Sequence, residues 1–505
     1  MRRHNPTLIL AAACVAAGLG SLPALAGEVV TASRAPAPPL DPASAPLPVA
    51  AGHGYLDTST DGPCLTDADR LLIRAELAAS VADLQARGVL PAVPDKAAGV
   101  LLQWPLRAAA HVDDPGVHGI SNFVDQNSAF PNQLLDYNCG ARTYDQAGGY
   151  NHSGTDIFLW PFSWHKVDDD DVEIVAGAAG VIISKSDGNY DRNCSFGGGF
   201  WNAVYVQHAD GSVAWYGHMK NGSTTAKAVG QSVAAGEYLG VVGSSGNSTG
   251  PHLHLELYDN LGNLVDPWAG TCNSRNVDSW WAQQRPYYDS AINALHTHSA
   301  LPAWQTCPEP AITNFQNQFT AGELVYVVAY YRDQRQGQVS NYEVLRPDGS
   351  VWQQWTGSLS SPAHYAASWW AWYMYLPADA ATGMWTFRVS FEGQVATHRF
   401  AVGDVSAVPG AATAGFALAA PAPNPFNPST TISYTLAGDG PVELTVHDLQ
   451  GRKVATLQSG AQAAGGHRVT WDGRADDGRV LASGIYLVHL RQGTQAQSQR
   501  VVMLK

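Results

Sequence analysis

From about Trp104 onward the chain is a succession of short apolar stretches cut by Gly, Asn and Asp, a punctuation that suits strands and turns and breaks helices. Val172–Val175, Gly180–Ser184, Ala203–His208, Val213–Tyr216 and Leu253–Tyr258 read as strands of one block. Leu324–Tyr331, Tyr342–Leu345 and Trp385–Phe391 belong to a second run over about 310–402, and a last β block follows to Lys505. With 50 Gly, 30 Pro and 16 Trp against 14% charged residues, a helical bundle is excluded. One helix is predicted: Thr66 caps it with Asp69 three residues on, Ile73, Leu77, Val81 and Leu84 share a face, and Gly88 ends it after about Arg87. At ~100–200 residues per domain, 505 residues make several domains. The fold class is mainly β: an antiparallel β-sheet domain followed by two β-sandwich domains, with a short helical N-terminal segment.

Arg2 and Arg3 precede an apolar stretch from Leu8 to Leu25 that ends in Ala24-Leu25-Ala26, the small-x-small pattern of a signal-peptidase site. Residues 1–26 therefore read as a removed signal peptide. Cys14 is not read as a lipidation site, because no Leu stands three places before it and the apolar run continues past it. No other stretch is long and apolar enough to span a bilayer. The expectation is an exported protein, extracellular or associated with the outer surface, reached by way of the periplasm. Two of the 29 basic residues leave with the signal, so 27 face 43 acidic ones and the formal charge of −16 opposes binding to nucleic acid or anionic membranes. Export permits disulfides among Cys64, Cys139, Cys194, Cys272 and Cys307. The pairs expected are Cys139 with Cys194 and Cys272 with Cys307. No Cys stands beside a His that would activate it, so no catalytic thiol is expected.

Three short segments concentrate His and Asp: His152-Ser153-Gly154-Thr155-Asp156, Trp215-Tyr216-Gly217-His218-Met219 and Gly250-Pro251-His252-Leu253-His254. In the last, one residue separates the two His, so on a strand both imidazoles project from the same face. A hydrolytic zinc site needs three protein ligands and a position open to water, and two imidazoles with a carboxylate supply them. Four His and one Asp leave two spare bases. Each His taken alone reads as a structural group in a β turn; the joint arrangement does not.

In order and content these segments resemble the lysostaphin/LytM-type zinc endopeptidases. Val242 to Glu256, with Gly243-Ser244-Ser245-Gly246 ahead of His252-Leu253-His254, fits as well, as do Val229–Val233, Gly236–Gly240 and Leu264-Val265-Asp266-Pro267. The resemblance covers about 150–270. It implies that His152, Asp156 and His254 ligate Zn2+, that His218 and His252 are the two non-ligand catalytic histidines, and that the substrate is peptidoglycan or another peptide. Two other classes stay open: a non-catalytic wall-binding or amidase-activating module, and a protein- or elastin-degrading protease of the same fold.

The chain departs from the family pattern at Phe158–His165 and Asp168–Asp171, an insertion that would shape the groove beside the metal. The acid run reads as a solvated loop, and Asp187–Asp191 fails as a calcium loop because Arg192 stands where Gly is needed. His165 and His208 read as structural. Further on, Gly383–Val389 resembles a strand of immunoglobulin-like bacterial modules, and the aromatics from Trp352 to Tyr375 read as core or interface rather than a glycan platform. Pro423–Thr430, Gly451-Arg452-Lys453, Trp471-Asp472-Gly473 and Ser483–Tyr486 resemble the C-terminal sorting domain of the type IX secretion route, which shares its pattern with FlgD-like domains. That resemblance implies the type IX machinery as a partner. The organisation is a signal peptide (1–26), an Ala/Pro-rich linker (27–62), a helical segment (63–112), the peptidase domain (113–300), an immunoglobulin-like sandwich (301–403), a linker (404–420) and the sorting domain (421–505). Whether residues 27–112 occlude the site as a pro-region or simply pack is open at this level.

Overall fold

In the computed structural model of the chain, residues 49–55, 63–91, 99–404 and most of 417–504 are described. The signal peptide, most of the first linker and residues 405–416 of the second lie outside them. The chain forms two compact units, one running through Ala378 with Thr386–Phe400, the other made of Asp379–Trp385 and Ala401 onward.

The first unit is built on an eight-stranded sheet. Its order is His118–Asn122, Thr155–Leu159, His252–Tyr258, Val213–Gly217, Ala203–His208, Gly180–Ser186, Ser232–Val233, with Leu264–Val265 also on His252–Tyr258. A three-stranded sheet of Tyr238–Val241, Val172–Val175 and Leu106–Ala108 shares its core, in which Ile157, Val204, Val206, Leu253 and Leu255 meet Leu106, Ile174 and Leu239. Every residue of His252–Tyr258 is buried, as befits a strand with partners on both edges and covered faces.

The predicted helix forms as Asp67–Ala86. Asp69 N donates to Thr66 Oγ1 at 3.1 Å and Thr66 N to Asp69 Oδ2 at 3.0 Å, a reciprocal cap. Leu77 and Leu84 bury against Ile183, Trp201, Tyr205, Trp215 and Tyr258 of the large sheet.

A four-stranded sheet of the same unit has the order Val49–Tyr55, His364–Tyr375, Leu324–Arg335, Ala291–His298. Two of these strands were not expected where they are. Val49–Tyr55 falls in the stretch read as an extended linker, and it pairs with Ala367–Trp372. Ala291–His298, read with the preceding block, pairs along its length with Tyr326–Arg332. Val339–Leu345 pairs with Val351–Ser358 and with Thr386–Phe391. Here Tyr342 meets Trp372 at 4.3 Å and Trp355 at 5.3 Å between ring centroids, so these aromatics serve the core.

The second unit contains two sheets. Ala417–Leu418, Thr430–Leu436 and Gly465–Trp471 form one; Lys453–Gln462, Gly440–His447, Gly484–Gln492 and Gln495–Met503 form the other. Ile432, Tyr434 and Trp471 of the first pack on Leu444, Val446, Val488 and Leu490 of the second, a β-sandwich.

Two disulfides differ from the expected pairs. They are Cys139–Cys272 and Cys194–Cys307, and Cys64 is free. Hydrogen bonds accompany each pair: Cys272 N donates to Tyr137 O at 2.9 Å, bringing residue 272 beside 139, and the Arg192 side chain donates from Nη2 to Pro308 O at 2.7 Å, next to Cys307.

Candidate active site and metal centre

Register assembles the site. His254 lies opposite Asp156 on one neighbouring strand and opposite Gly217 on the other. Because side chains alternate along a strand, His252, His254 and Glu256 face the same side. His152 enters just before Thr155–Leu159, and His218 follows Gly217 with a left-handed φ of 60°. Two glycines are needed for this closeness. A Cβ at Gly154 would lie 2.6 Å from Cε1 of His254, and one at Gly217 would lie 2.2 Å from the Trp201 ring. The five residues picked from sequence thus come together in one buried cluster.

Hydrogen bonds fix which nitrogen of each ring faces the cluster. His152 Nδ1 donates to Phe123 O at 2.7 Å, leaving Nε2 toward Asp156 Oδ2 at 3.1 Å and His254 Nδ1 at 3.4 Å. His254 Nε2 donates to Glu256 Oε1 at 2.9 Å, which turns Nδ1 to Asp156 Oδ1 at 2.7 Å. A tetrahedral zinc with bonds of ~2.0–2.1 Å holds its ligand atoms about 3.3 Å apart. The three spacings lie around that value, so His152, Asp156 and His254 fit such an ion.

The other two histidines are held differently. His218 Nδ1 donates to Ser245 O at 2.6 Å and His252 Nδ1 to Gly250 O at 2.8 Å. Each therefore presents a buried Nε2 that makes no hydrogen bond to nitrogen or oxygen among the described residues, His252 Nε2 lying 3.7 Å from Asp156 Oδ1, and the ring centroids stand 4.4 Å apart. Such atoms are costly to bury unless something else satisfies them.

Charge is tightly compensated. Burial pushes the Asp156 carboxyl up, but His152, His254 and His252 outweigh it and hold it well below the usual range. Burial pulls His254 down, yet Asp156 raises it well above an ordinary imidazole. Burial and the neighbouring His252 keep His218 low.

Two residues missed in the sequence complete the cluster. Glu256, which orients His254, is itself held by Arg70 Nη2 at 2.7 Å and Tyr258 Oη at 2.5 Å. The alternation His252-x-His254-x-Glu256 carried that signal. Cys64 is the second. Its sulfur belongs to two overlapping groups, with His152, Asp156 and His254 and with His218, His252 and His254, in which all ligand atoms lie within 4.8 Å of one another. This corrects the expectation that no Cys stands beside a His. Cys64 is buried, 3.1 Å from Tyr144 Oη, and the Tyr144 ring stacks on His152 at 4.5 Å.

A cavity of about 280 Å³ adjoins the cluster, lined by Phe158, Trp160, Trp164, Phe196, His252 and Trp304 among others. The insertion contributes three of these aromatics, and Trp160 stacks on Trp304 at 5.4 Å. Asp168 of the acid run pairs with Arg192 and Asp170 with Lys220 at 2.5 Å, while Asp171 Oδ1 lies 2.9 Å from His111 Nε2. His165 Nε2 donates to Ala311 O at 2.7 Å and His208 Nδ1 to Ala179 O at 3.0 Å, while His208 Nε2 is buried with no hydrogen-bond partner among the described residues.

Residues 151–267 match the family described as Peptidase family M23, and residues 427–496 match the FlgD Ig-like domain. A DD-carboxypeptidase/endopeptidase Mpg of Neisseria meningitidis serogroup B is 47% identical over 70 residues, 14% of this chain and 15% of that protein. The cell division protein DipM of Caulobacter vibrioides is 32% identical over 115 residues, 21% of this chain and 18% of that one. The chain therefore spans less than a fifth of the length of either relative. A crystal structure of a peptidase M23 from Pseudomonas aeruginosa aligns at 24% identity over 39% of this chain and 58% of that chain, with a TM-score of 0.21. The cluster of His152, Asp156, His218, His252 and His254 thus lies in a peptidase M23 domain at residues 151–267, and a FlgD Ig-like domain occupies residues 427–496.

Proposed function

We propose that the chain is an exported zinc metallo-endopeptidase that hydrolyses peptide bonds in bacterial peptidoglycan, in cross-links containing glycine or D-amino acids. One observation carries this reading: His152 Nε2, His254 Nδ1 and the two oxygens of Asp156 converge at 2.7–3.4 Å beside two buried imidazole Nε2 atoms that make no hydrogen bond to nitrogen or oxygen among the described residues. The name of the Neisseria relative, a DD-carboxypeptidase/endopeptidase, supports the substrate class.

His152 Nε2, Asp156 and His254 Nδ1 would hold the zinc. Bound there, it would polarise a peptide carbonyl and lower the pKa of a water. Glu256 keeps His254 in the tautomer that offers Nδ1. His218 and His252 keep their Nδ1 protons on backbone carbonyls, so each works through Nε2. One accepts a proton from the attacking water; the other, protonated, donates to the developing oxyanion or the leaving amine. Phe158, Trp160 and Trp164 give the adjoining cavity an apolar wall against which a short peptide would pack.

The FlgD Ig-like domain at 427–496 lies within the segment we assign to type IX sorting, residues 421–505. On this reading the domain takes no part in catalysis, and its deletion leaves the product in the periplasm.

The peptidase reading is tested by incubating the protein with intact sacculi, and separately with casein and elastin, with and without chelator, and identifying released fragments by mass spectrometry. Chelator-sensitive release of cross-link peptides is expected. Wall binding without release by wild type and by Cys64→Ser alike would favour a non-catalytic module, and cleavage of casein or elastin alone would favour a general protease.

A further inference from the structure

Resting on the zinc reading above, we infer that Cys64 is a fourth ligand of the same metal and that residues 63–90 form an inhibitory plug, so that the full-length chain is latent.

A hydrolytic zinc site keeps one position open, whereas a site with four protein ligands is closed. Cys64 Sγ, His152, Asp156 and His254 bring four ligand atoms within 4.8 Å of one another, the number that fills a tetrahedral site. The same sulfur closes the side on which His218 and His252 present their Nε2 atoms. A thiol left there is incompatible with turnover, and the four other cysteines of the described chain are consumed in disulfides.

The plug is anchored to the site itself. Arg70 Nη1 donates to Leu65 O at 2.8 Å, which fixes the backbone next to Cys64, while its Nη2 holds Glu256, the carboxylate that orients His254. The Thr66 cap starts the helix two residues after the thiol. Leu77 and Leu84 then seat the helix on Ile183 and Trp215, and Ser184 Oγ donates to Glu76 at 2.5 Å. The helix contributes no strand to the large sheet, so its release leaves the sheet's pairing intact. Withdrawal of residues 63–90 would remove the Cys64 sulfur from the cluster and leave His152, Asp156 and His254 as three ligands with one position open.

The test uses the full chain loaded with cobalt in place of zinc. Wild type should show a thiolate-to-cobalt charge-transfer band in the near ultraviolet, and Cys64→Ser should lose it while still binding one cobalt. Cys64 should resist a thiol reagent in the metal-loaded protein and react after chelation. On sacculi, Cys64→Ser should exceed wild type about tenfold or more, as expected if the competent form is under a tenth of the population. Leu77→Asp leaves every cluster residue in place but loosens the helix, and should raise both thiol reactivity and activity. A cobalt-loaded wild type that lacks the band and cleaves sacculi at the rate of Cys64→Ser would overturn the plug and leave the peptidase reading standing. A band lost in Cys64→Ser with no cleavage by any form would keep the ligand and overturn the peptidase.

Discussion

The first unit contains two histidine clusters among its described residues, one buried and one partly buried, and only the first is built for chemistry. His152, His218, His252 and His254 surround Asp156, with ring nitrogens turned inward. His296, His298 and His398 also crowd together, with His296 5.7 Å from His398 and 6.2 Å from His298 between ring centroids. There both nitrogens of His298 and Nε2 of His398 are spent. His298 Nδ1 donates to Thr313 O at 2.6 Å, Tyr330 Oη meets its Nε2 at 3.2 Å, and His398 Nε2 donates to Asn317 Oδ1 at 3.0 Å. The carboxylate nearest His296, Asp114, is taken by Lys166 at 3.0 Å. Burial accordingly lowers all three, His298 and His398 to about 4. What separates the clusters is therefore a shared carboxylate and the direction of the free lone pairs. The number of histidines does not.

Substitutions can break that contrast, and the largest effect belongs to the ligands. His254→Ala should abolish stoichiometric metal and lower cleavage by about a thousandfold or more, to background. His218→Ala and His252→Ala should each keep the metal yet lower kcat by about 10²–10⁴-fold, which metal analysis beside steady-state kinetics would separate from ligand loss. Glu256→Gln should weaken metal affinity by about 10–100-fold, read by competition with a chelator, because it alters the support of His254 and leaves the three ligands in place. The smallest effect is reserved for the second cluster. His398→Gln should leave metal content and cleavage unchanged. It should act instead on acid stability. His298 and His398 stay neutral in the fold to about pH 4, whereas an unfolded His takes up its proton near ~6.5. The unfolded chain binds more protons between those values, so stability falls as pH drops through that window. Chemical denaturation across pH 4–7 should show a shallower slope in His398→Gln than in wild type.

The sequence was most informative where chemistry follows local periodicity. His252-x-His254 declared a strand face, and Thr66-x-x-Asp69 a helix start, because both depend on neighbours a few residues apart. Glu256 obeys the same alternation and was legible in principle. Cys64 was not: nothing near it in the chain marks it, and only the fold of residues 63–90 onto the sheet brings it to His254. The disulfides failed for the same reason, since the approach of Cys139 to Cys272 is set by the loop that hydrogen-bonds at Tyr137. Val49–Tyr55 was hidden by its Ala- and Gly-rich composition, and becomes a strand because His364–Tyr375 offers an edge.

The measurement that bears most directly on the central claim is the metal content of extensively dialysed protein, taken beside its action on sacculi. One zinc per chain, retained in wild type, lost in His254→Ala and retained in His398→Gln, with peptide release following the metal, is the predicted result. A zinc-free wild type that releases the same fragments would contradict the account.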